Sequence, residues 1–263
     1  MHPILFRIGS FEVGTYGLLV TLAFFAAMYL AMRLGRQDGL EAEAISDLSV
    51  TMLLAGIVGA KGLMIVVDLM RGAPVSEVFS LSTLRAAGAI HGGIILGTVA
   101  FFWRVRRLKL PLWPTLDAFA AAVPLGQALG RVGCFFAGCC FGTTCDLPWA
   151  VTFHNHDAVR LSGTPLALPL HPVQLYTVLF ELALAGALLL GRRWRRFPGQ
   201  LIGAFFIAEG IGRAVLETFR GDLDRGAGWL GQAWLSTGRI TGLLFVGFGA
   251  ALLVLASRRK EVR

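Results

Sequence analysis

Runs of apolar residues about 20 long, the length that carries a helix across a hydrocarbon core of about 30 Å, recur along this chain. Seven of them read as spans: Tyr16 to Leu34, Asp47 to Leu69, Ala87 to Trp103, Thr115 to Gly133, Pro172 to Gly191, Gln200 to Phe219 and Arg239 to Ala256. Hydrocarbon offers the backbone no hydrogen-bond partners, so such segments must be helical. The expected fold is therefore an all-α integral membrane protein with seven transmembrane helices. A chain that is 56% hydrophobic and only 15% charged, with a mean hydropathy of +0.69, departs far from the averages of soluble domains. The opening stretch "MHPILFRIGSFEVG" lacks a basic leader and the first apolar run is of full spanning length, so the first span is expected to be retained rather than cleaved. With no internal repeat, low-complexity tract or long linker, residues 1–263 read as one polytopic domain. Two longer stretches, 71–86 and 143–171, read as extracytoplasmic loops, a common place for function.

Orientation follows from lysine and arginine, which short cytoplasmic loops retain. Most of the 24 basic residues fall in alternate gaps: Arg33 and Arg36 after span one, "RVRRLK" after span three, "RRWRR" after span five, and Arg258, Arg259, Lys260 and Arg263 at the chain's end. The N-terminus is thus expected outside and the C-terminus in the cytoplasm. Because this excess charge lies where anionic inner-leaflet lipids would meet it, the net charge of +8 requires no nucleic-acid partner. Neither a P-loop nor a dinucleotide fingerprint is present, and no cofactor is expected.

Charges inside the spans carry more information. "LGRVGCFFAGCCFG" (129–142) contains Arg131, and "GIGRAVLETFRGD" (210–222) contains Arg213, Glu217 and Arg220 at helical i, i+4 and i+7 positions. Arginine at membrane depth costs about 2.5–3.5 kcal/mol even on insertion scales, which makes Arg131 and Arg213 candidates for function. Pairing with Asp117, Glu181 or Glu217, or a salt-bridge ladder along the sixth span, is the purely structural alternative. Both arginines fall near the outer ends of their spans, at headgroup depth, and guanidinium matches phosphate with two parallel hydrogen bonds. In "AGAIHGGIILG" (87–97), glycines four apart mark close helix packing, while His91 is the one group there that exchanges a proton near neutral pH. "LPLHPVQLY" (168–176) sets a first-turn Pro172 beside His171, Gln174 and Tyr176 at the outer start of span five.

The ordered set "TYGLL", "HGG", "GRVGCFFAGCCFG", "HPVQLY" and "RAVLETFRGD" on seven spans resembles the bacterial prolipoprotein diacylglyceryl transferase family over nearly the whole chain. The resemblance implies an enzyme of the bacterial cytoplasmic (inner) membrane with two substrates, phosphatidylglycerol and the lipobox peptide of a preprolipoprotein. It would transfer diacylglyceryl to the lipobox cysteine thiol and release glycerol phosphate. It also implies catalytic roles for His91, Arg131 and Arg213, and substrate-binding roles for Tyr16, Gly92, Gly93, Gly133, His171, Gln174, Tyr176, Glu217 and Arg220. The arginines would neutralise the phosphate as charge gathers on it, and His91 would take the thiol proton. Where the family signature runs roughly "GNFxNGExxG", this chain has Cys134, Ala137 and Cys139, and Thr177 replaces the glutamate that commonly follows "HPxQLY".

Cys134, Cys139, Cys140 and Cys145 fall within twelve residues at the expected outer end of span four. An even number in an oxidising compartment points to one or two disulfides, and no metal is assigned because C-x4-C-C-x4-C is not a usual zinc spacing. Metal ligation and a resident nucleophile stay open as alternatives. Two other classes of function stand beside the transferase: a non-catalytic lipid-binding or assembly paralogue, or a related transferase with another acceptor, and a transporter. The missing internal repeat counts against the transporter.

Overall fold

The computed structural model describes residues 2–9, 11–75, 88–221 and 236–261. From residue 76 onward, the expected 71–86 loop lies outside the described residues, as do Ala87, Asp222 and Arg263. Two compact units divide the chain: Met32–Thr115, and Met1–Ala31 with Leu116–Arg263.

The long helices follow the apolar runs. They are α1 (Thr15–Gln37), α2 (Ala42–Met70), α3 (Ile90–Arg107), α4 (Leu112–Ala120), α5 (Ala122–Ala137), α7 (Val173–Gly191), α8 (Gln200–Leu216) and α9 (Thr237–Glu261); the short α6 (His156–Ser162) lies in a loop. Among the described residues, five helical stretches are long and apolar enough to cross a membrane: Thr15–Gln37, Ala42–Met70, Leu112–Ala137, Val173–Trp194 and Thr237–Arg258. Helices α3 and α8 occupy the positions expected for spans three and six. The first ends in a basic "RVRR" run, and the second is only 17 residues long with Glu209 and Arg213 inside it. Each therefore falls short in length or apolarity rather than in helical character.

In the unit Met32–Thr115, α2 and α3 meet through glycines. A Cβ on Gly59 would lie 2.3 Å from the carbonyl oxygen of Gly92, and one on Gly92 would lie 2.2 Å from that of Gly59. Only residues without side chains permit this approach. It lets the Ala89 N–H donate across the interface to the Ala60 carbonyl at 2.9 Å. Arg104 pairs with Asp47 at the other end of the same helix pair.

In the other unit, the expected fourth span is interrupted at Ala121, between α4 and α5. The cause is Pro124 in the first turn of α5, which lacks the N–H that would bond back to Ala120 and so cuts the helical ladder. The expected sixth span likewise changes character, since α8 stops at Leu216 and Glu217–Phe219 tightens into a 3-10 turn. Glycines again set the closest approaches, with Gly210 against Gly242 and Gly203 against Gly249 between α8 and α9. Short β-structure covers the loops: strands Ile4–Ile8 (β1) and Phe11–Gly14 (β2) form an antiparallel hairpin, and Val151–Thr152 (β3) pairs antiparallel with Pro169–Leu170 (β4). Arg7, Glu12, Asp157 and Arg160 link the hairpin to α6 in an exposed ion network.

Asp117 is fully buried in α4, and its carboxylate accepts from the backbone N–H groups of Gly199 at 2.8 Å and Ile202 at 3.0 Å, while Arg195 Nη1 donates to it at 3.3 Å. It thus caps the N-terminus of α8 from a different helix, a different role from the expected partnership with Arg131 or Arg213. Asp117→Ala leaves these donors unpaired and is expected to cost about 3–5 kcal/mol; Asp117→Asn, which keeps one acceptor oxygen, should cost roughly half as much. Thermal unfolding of the purified protein in detergent checks the order wild type, Asn, Ala.

Candidate functional site

The site begins on the last two turns of α5. Gly133 faces α1, where an added Cβ would lie 3.2 Å from the Tyr16 ring, so the bare backbone makes room for that aromatic side chain. The helix ends at Gly138, whose φ of +82° is the left-handed cap conformation favoured by glycine. A Cβ there would also meet the Thr164 hydroxyl at 2.8 Å, and that hydroxyl lies 3.1 Å from both the Gly138 and Ala158 carbonyls.

Beyond the cap, the chain enters a knot of backbone bonds. Gly142 N–H donates to the His171 carbonyl (3.1 Å), His171 N–H to that of Thr143 (2.9 Å), Thr143 N–H to that of Phe219 (2.9 Å), and Gly221 N–H to that of Phe141 (3.1 Å). Three of the motifs read in the sequence are thereby stitched together. Side chains complete the joint. Gln174 is buried and donates through Nε2 to the Cys139 carbonyl at 2.8 Å, and the Tyr176 hydroxyl accepts from Trp149 Nε1 at 2.8 Å and lies 3.2 Å from His171 Nδ1. The rings of His171, Tyr176 and Phe219 pack edge to face or tilted with centroids 5.3–6.1 Å apart. Pro172 serves as the cap residue just before α7 rather than within its first turn.

Below this joint, a cavity of about 30 Å³, the room of one or two water molecules, opens between α5, α7 and α8. Arg131, Arg213 and Arg220 line it with Glu181, Glu209 and Glu217, together with Gln127, Thr177 and Phe180. Lining guanidiniums and carboxyls are equal in number. The set does not satisfy itself. Arg213 Nη2 lies 3.8 Å from Glu209 Oε1, a loose pair, while Arg213 Nε, Glu181 Oε2 and Glu209 Oε2 are buried without a hydrogen-bond partner. Buried polar groups are normally paired, so this residue set has bonding capacity left for a ligand or water. The ion pair of Arg213 runs back to Glu209 instead of forward along the ladder expected with Glu217, because the α-helix gives way at Glu217 and that carboxyl packs against Gly238 of α9. Thr177 spends its hydroxyl within its own helix, on the Val173 carbonyl at 2.8 Å.

Glu209 and Gln127 escaped the sequence reading. Each stands four residues before one of the arginines, Glu209 before Arg213 and Gln127 before Arg131, so extending the helical stripe back by one turn would have found both.

All four cysteines are free thiols. The Sγ atoms of Cys134, Cys139 and Cys140 lie within 4.8 Å of one another; Cys145 stands apart, with its N–H bonded to the Pro169 carbonyl at 3.0 Å. Hydrogen bonds from Cys134 and Cys139 lower the Cys140 thiol from its ordinary value, and the charges of Arg131 and Arg220 act in the same direction.

His91, Gly92 and Gly93 belong to the other unit. His91 is exposed on the first turn of α3, Gly92 packs on Gly59, and a Cβ on Gly93 would lie 2.9 Å from the Gly56 carbonyl oxygen, as the glycine spacing predicts.

Several helices able to cross a membrane, with guanidiniums and carboxyls gathered in one cavity between α5, α7 and α8, define a multi-pass membrane protein. A family model described as prolipoprotein diacylglyceryl transferase matches residues 3–255, and the chain belongs to that family. Relatives named phosphatidylglycerol–prolipoprotein diacylglyceryl transferase include one from Clostridium tetani, 30% identical over 261 residues that cover 99% of this chain and 100% of the relative. Another, from Synechococcus elongatus, is 31% identical over 84% of this chain and 77% of its own length, and one from Brucella canis is 30% identical over 98% and 92%.

The knot of backbone bonds makes a specific demand at Gly142, where a Cβ would lie 2.5 Å from both the Cβ and the carbonyl oxygen of His171. Gly142→Ala is expected to destabilise the protein by about 3 kcal/mol through forced separation of the joined segments. Gly130→Ala, with nothing within 4 Å, is expected to be neutral or to stabilise by up to about 1 kcal/mol. Melting temperatures of the two variants in the same detergent separate these outcomes.

Proposed function

We propose that this chain transfers the diacylglyceryl group of phosphatidylglycerol to the lipobox cysteine thiol of a preprolipoprotein and releases glycerol phosphate. The observation that carries the proposal is the convergence of Arg131 and Arg213 on one buried pocket whose polar groups are incompletely paired. Family membership supplies the reaction class. We read the chain as a single polytopic domain of seven spans in the bacterial cytoplasmic membrane, N-terminus outside, with α3 and α8 as spans three and six. In this orientation the pocket faces the outer leaflet.

In the proposed reaction the lipobox thiolate attacks the glycerol carbon that bears the phosphate ester. A C–S bond forms, the C–O bond breaks, and its electron pair leaves on glycerol phosphate. Arg131 and Arg213 stabilise the charge gathering on the phosphate oxygens inside a low-dielectric pocket. His91 accepts the thiol proton, since the thiolate is the nucleophile. Tyr16, His171, Gln174, Tyr176, Glu217 and Arg220 hold the substrates or the frame around them. A phospholipid headgroup is much larger than a cavity of about 30 Å³, so binding moves the long side chains that line it, and the loose Arg213–Glu209 pair is the one most easily opened. The lining also bears on the altered signature. Thr177 provides no carboxyl where the family commonly has glutamate, but Glu181 and Glu209 bring two carboxyls to the same cavity.

Purified protein in nanodiscs with labelled phosphatidylglycerol and a lipobox peptide is expected to release glycerol phosphate and to add a diacylglyceryl mass to the peptide. Arg131→Ala and Arg213→Ala are each expected to lower turnover by about 10²–10³, and His91→Ala by about 10²–10⁴, at unchanged protein abundance. Release without a peptide product would instead identify a different acceptor. Absence of release from intact protein, with a control enzyme active, would overturn the proposal in favour of a lipid-binding role.

A further inference from the structure

The three thiols at the end of α5 take no part in the transfer as proposed above, and their geometry points to a separate use. We propose that Cys134, Cys139 and Cys140 form a binding site for one soft, thiophilic metal ion of the Cu(I) class, held by three sulfurs.

Spacing is the first support. All three Sγ atoms lie within 4.8 Å of one another. A planar three-sulfur site with metal–sulfur bonds of about 2.3 Å has sulfurs about 4 Å apart, so closing the triangle takes a shift of under about 1 Å. Donor type is the second. Sulfur is the only donor in the group, and no histidine, aspartate or glutamate joins it among the described residues. Thiolate-only sets select soft ions, and three donors suit a monovalent ion better than the closed tetrahedron of structural zinc.

Backbone geometry is the third and independent support. Cys140 has a φ of +59°, a conformation that residues with a Cβ seldom adopt. Such outliers persist where the surroundings enforce them, and they gather at functional sites. Here the enforcement is visible: Gly138 turns the chain at the helix end, Gln174 Nε2 holds the Cys139 carbonyl at 2.8 Å, and Gly142 is tied to His171 at 3.1 Å. The three-residue run Gly138–Cys139–Cys140 is thus folded back so that two successive thiols meet a third from the helix. Binding releases the thiol protons and forms three metal–sulfur bonds with no change of oxidation state. The positive charges of Arg131 and Arg220 act on the Cys140 sulfur, and that of Arg131 on Cys134, and so offset part of the negative charge that a three-thiolate complex carries.

The test uses the reduced full-length protein in nanodiscs under anaerobic conditions, titrated with Cu(I) against a chromogenic Cu(I) chelator. One equivalent is expected to bind, with three sulfur neighbours near about 2.3 Å in its X-ray absorption spectrum. Cys134→Ser, Cys139→Ser and Cys140→Ser should each weaken binding at least about tenfold, whereas Cys145→Ser should leave affinity unchanged. A wild-type protein that binds no stoichiometric Cu(I), or a spectrum with one or two sulfurs, overturns the proposal without recourse to any variant. Retention of the ion by all three single variants, or equal loss in Cys145→Ser, also overturns it.

Discussion

Three guanidiniums and three carboxyls share one small cavity among apolar helices, and each of them would be costly there alone. Their mutual nearness is what lets α5, α7 and α8 carry ionisable residues at all. The pairing is incomplete, however: Arg213 approaches Glu209 only to 3.8 Å, and its Nε has no hydrogen-bond partner among the described residues. In the proposed reaction a fully satisfied network would be less useful, since an incoming phosphate would have to break good hydrogen bonds to gain equal ones. The loose arrangement keeps donors available at a depth where a water-poor environment strengthens their effect.

Holding those charges in place falls to residues that have no charge. Gly212 leaves room for the Phe180 ring and Gly238 for the Glu217 carboxyl, at distances where a Cβ would collide, and Gly133 leaves room for Tyr16, which an added Cβ would crowd at 3.2 Å. The same device recurs between α8 and α9 at Gly210 and Gly242. Between helices in lipid, where burial of apolar surface gives no advantage over contact with acyl chains, such close backbone approach is a main source of attraction. At one end of the bundle Asp117 fixes the start of α8, and at the other the bonds around Gly142 fix the loops that follow α5 and precede α7. The charges of α8 and of the turn that follows it are therefore positioned from both ends.

The altered signature takes on a physical meaning in this setting. Cysteine at 134 and 139 replaces hydrogen-bonding side chains with soft, weakly bonding ones, and Thr177 turns its hydroxyl back on its own helix. Two carboxyls of the cavity come from Glu181 on α7 and Glu209 on α8. The pocket keeps a polar lining, and Cys134 and Cys139, at two of the altered positions, meet Cys140 in a compact group.

Much of this was legible in the residues. Apolar runs located the helices to within a few residues at most ends, because hydropathy and helix length are local properties. Arg131 and Arg213 stood out because charge in an apolar run is costly wherever the chain goes, and glycines four apart announced the α2–α3 contact before their partners were known. Asp117 shows the limit. Its sequence position suggested an arginine partner within the membrane, yet its partners are Arg195 and the backbone of Gly199 and Ile202, some 80 residues away. The same holds for Glu209 and Gln127, which gain significance only from the side chains of other helices, and for the three thiols, which meet because Gly138 and Cys140 take left-handed conformations. Sequence by itself determined that this chain is a helical membrane protein with costly cations and an unusual cysteine run, since those follow from composition and periodicity along one segment. Tertiary structure decided which carboxyl faces which arginine and which sulfurs meet, because those distances depend on how segments far apart in the chain pack against one another.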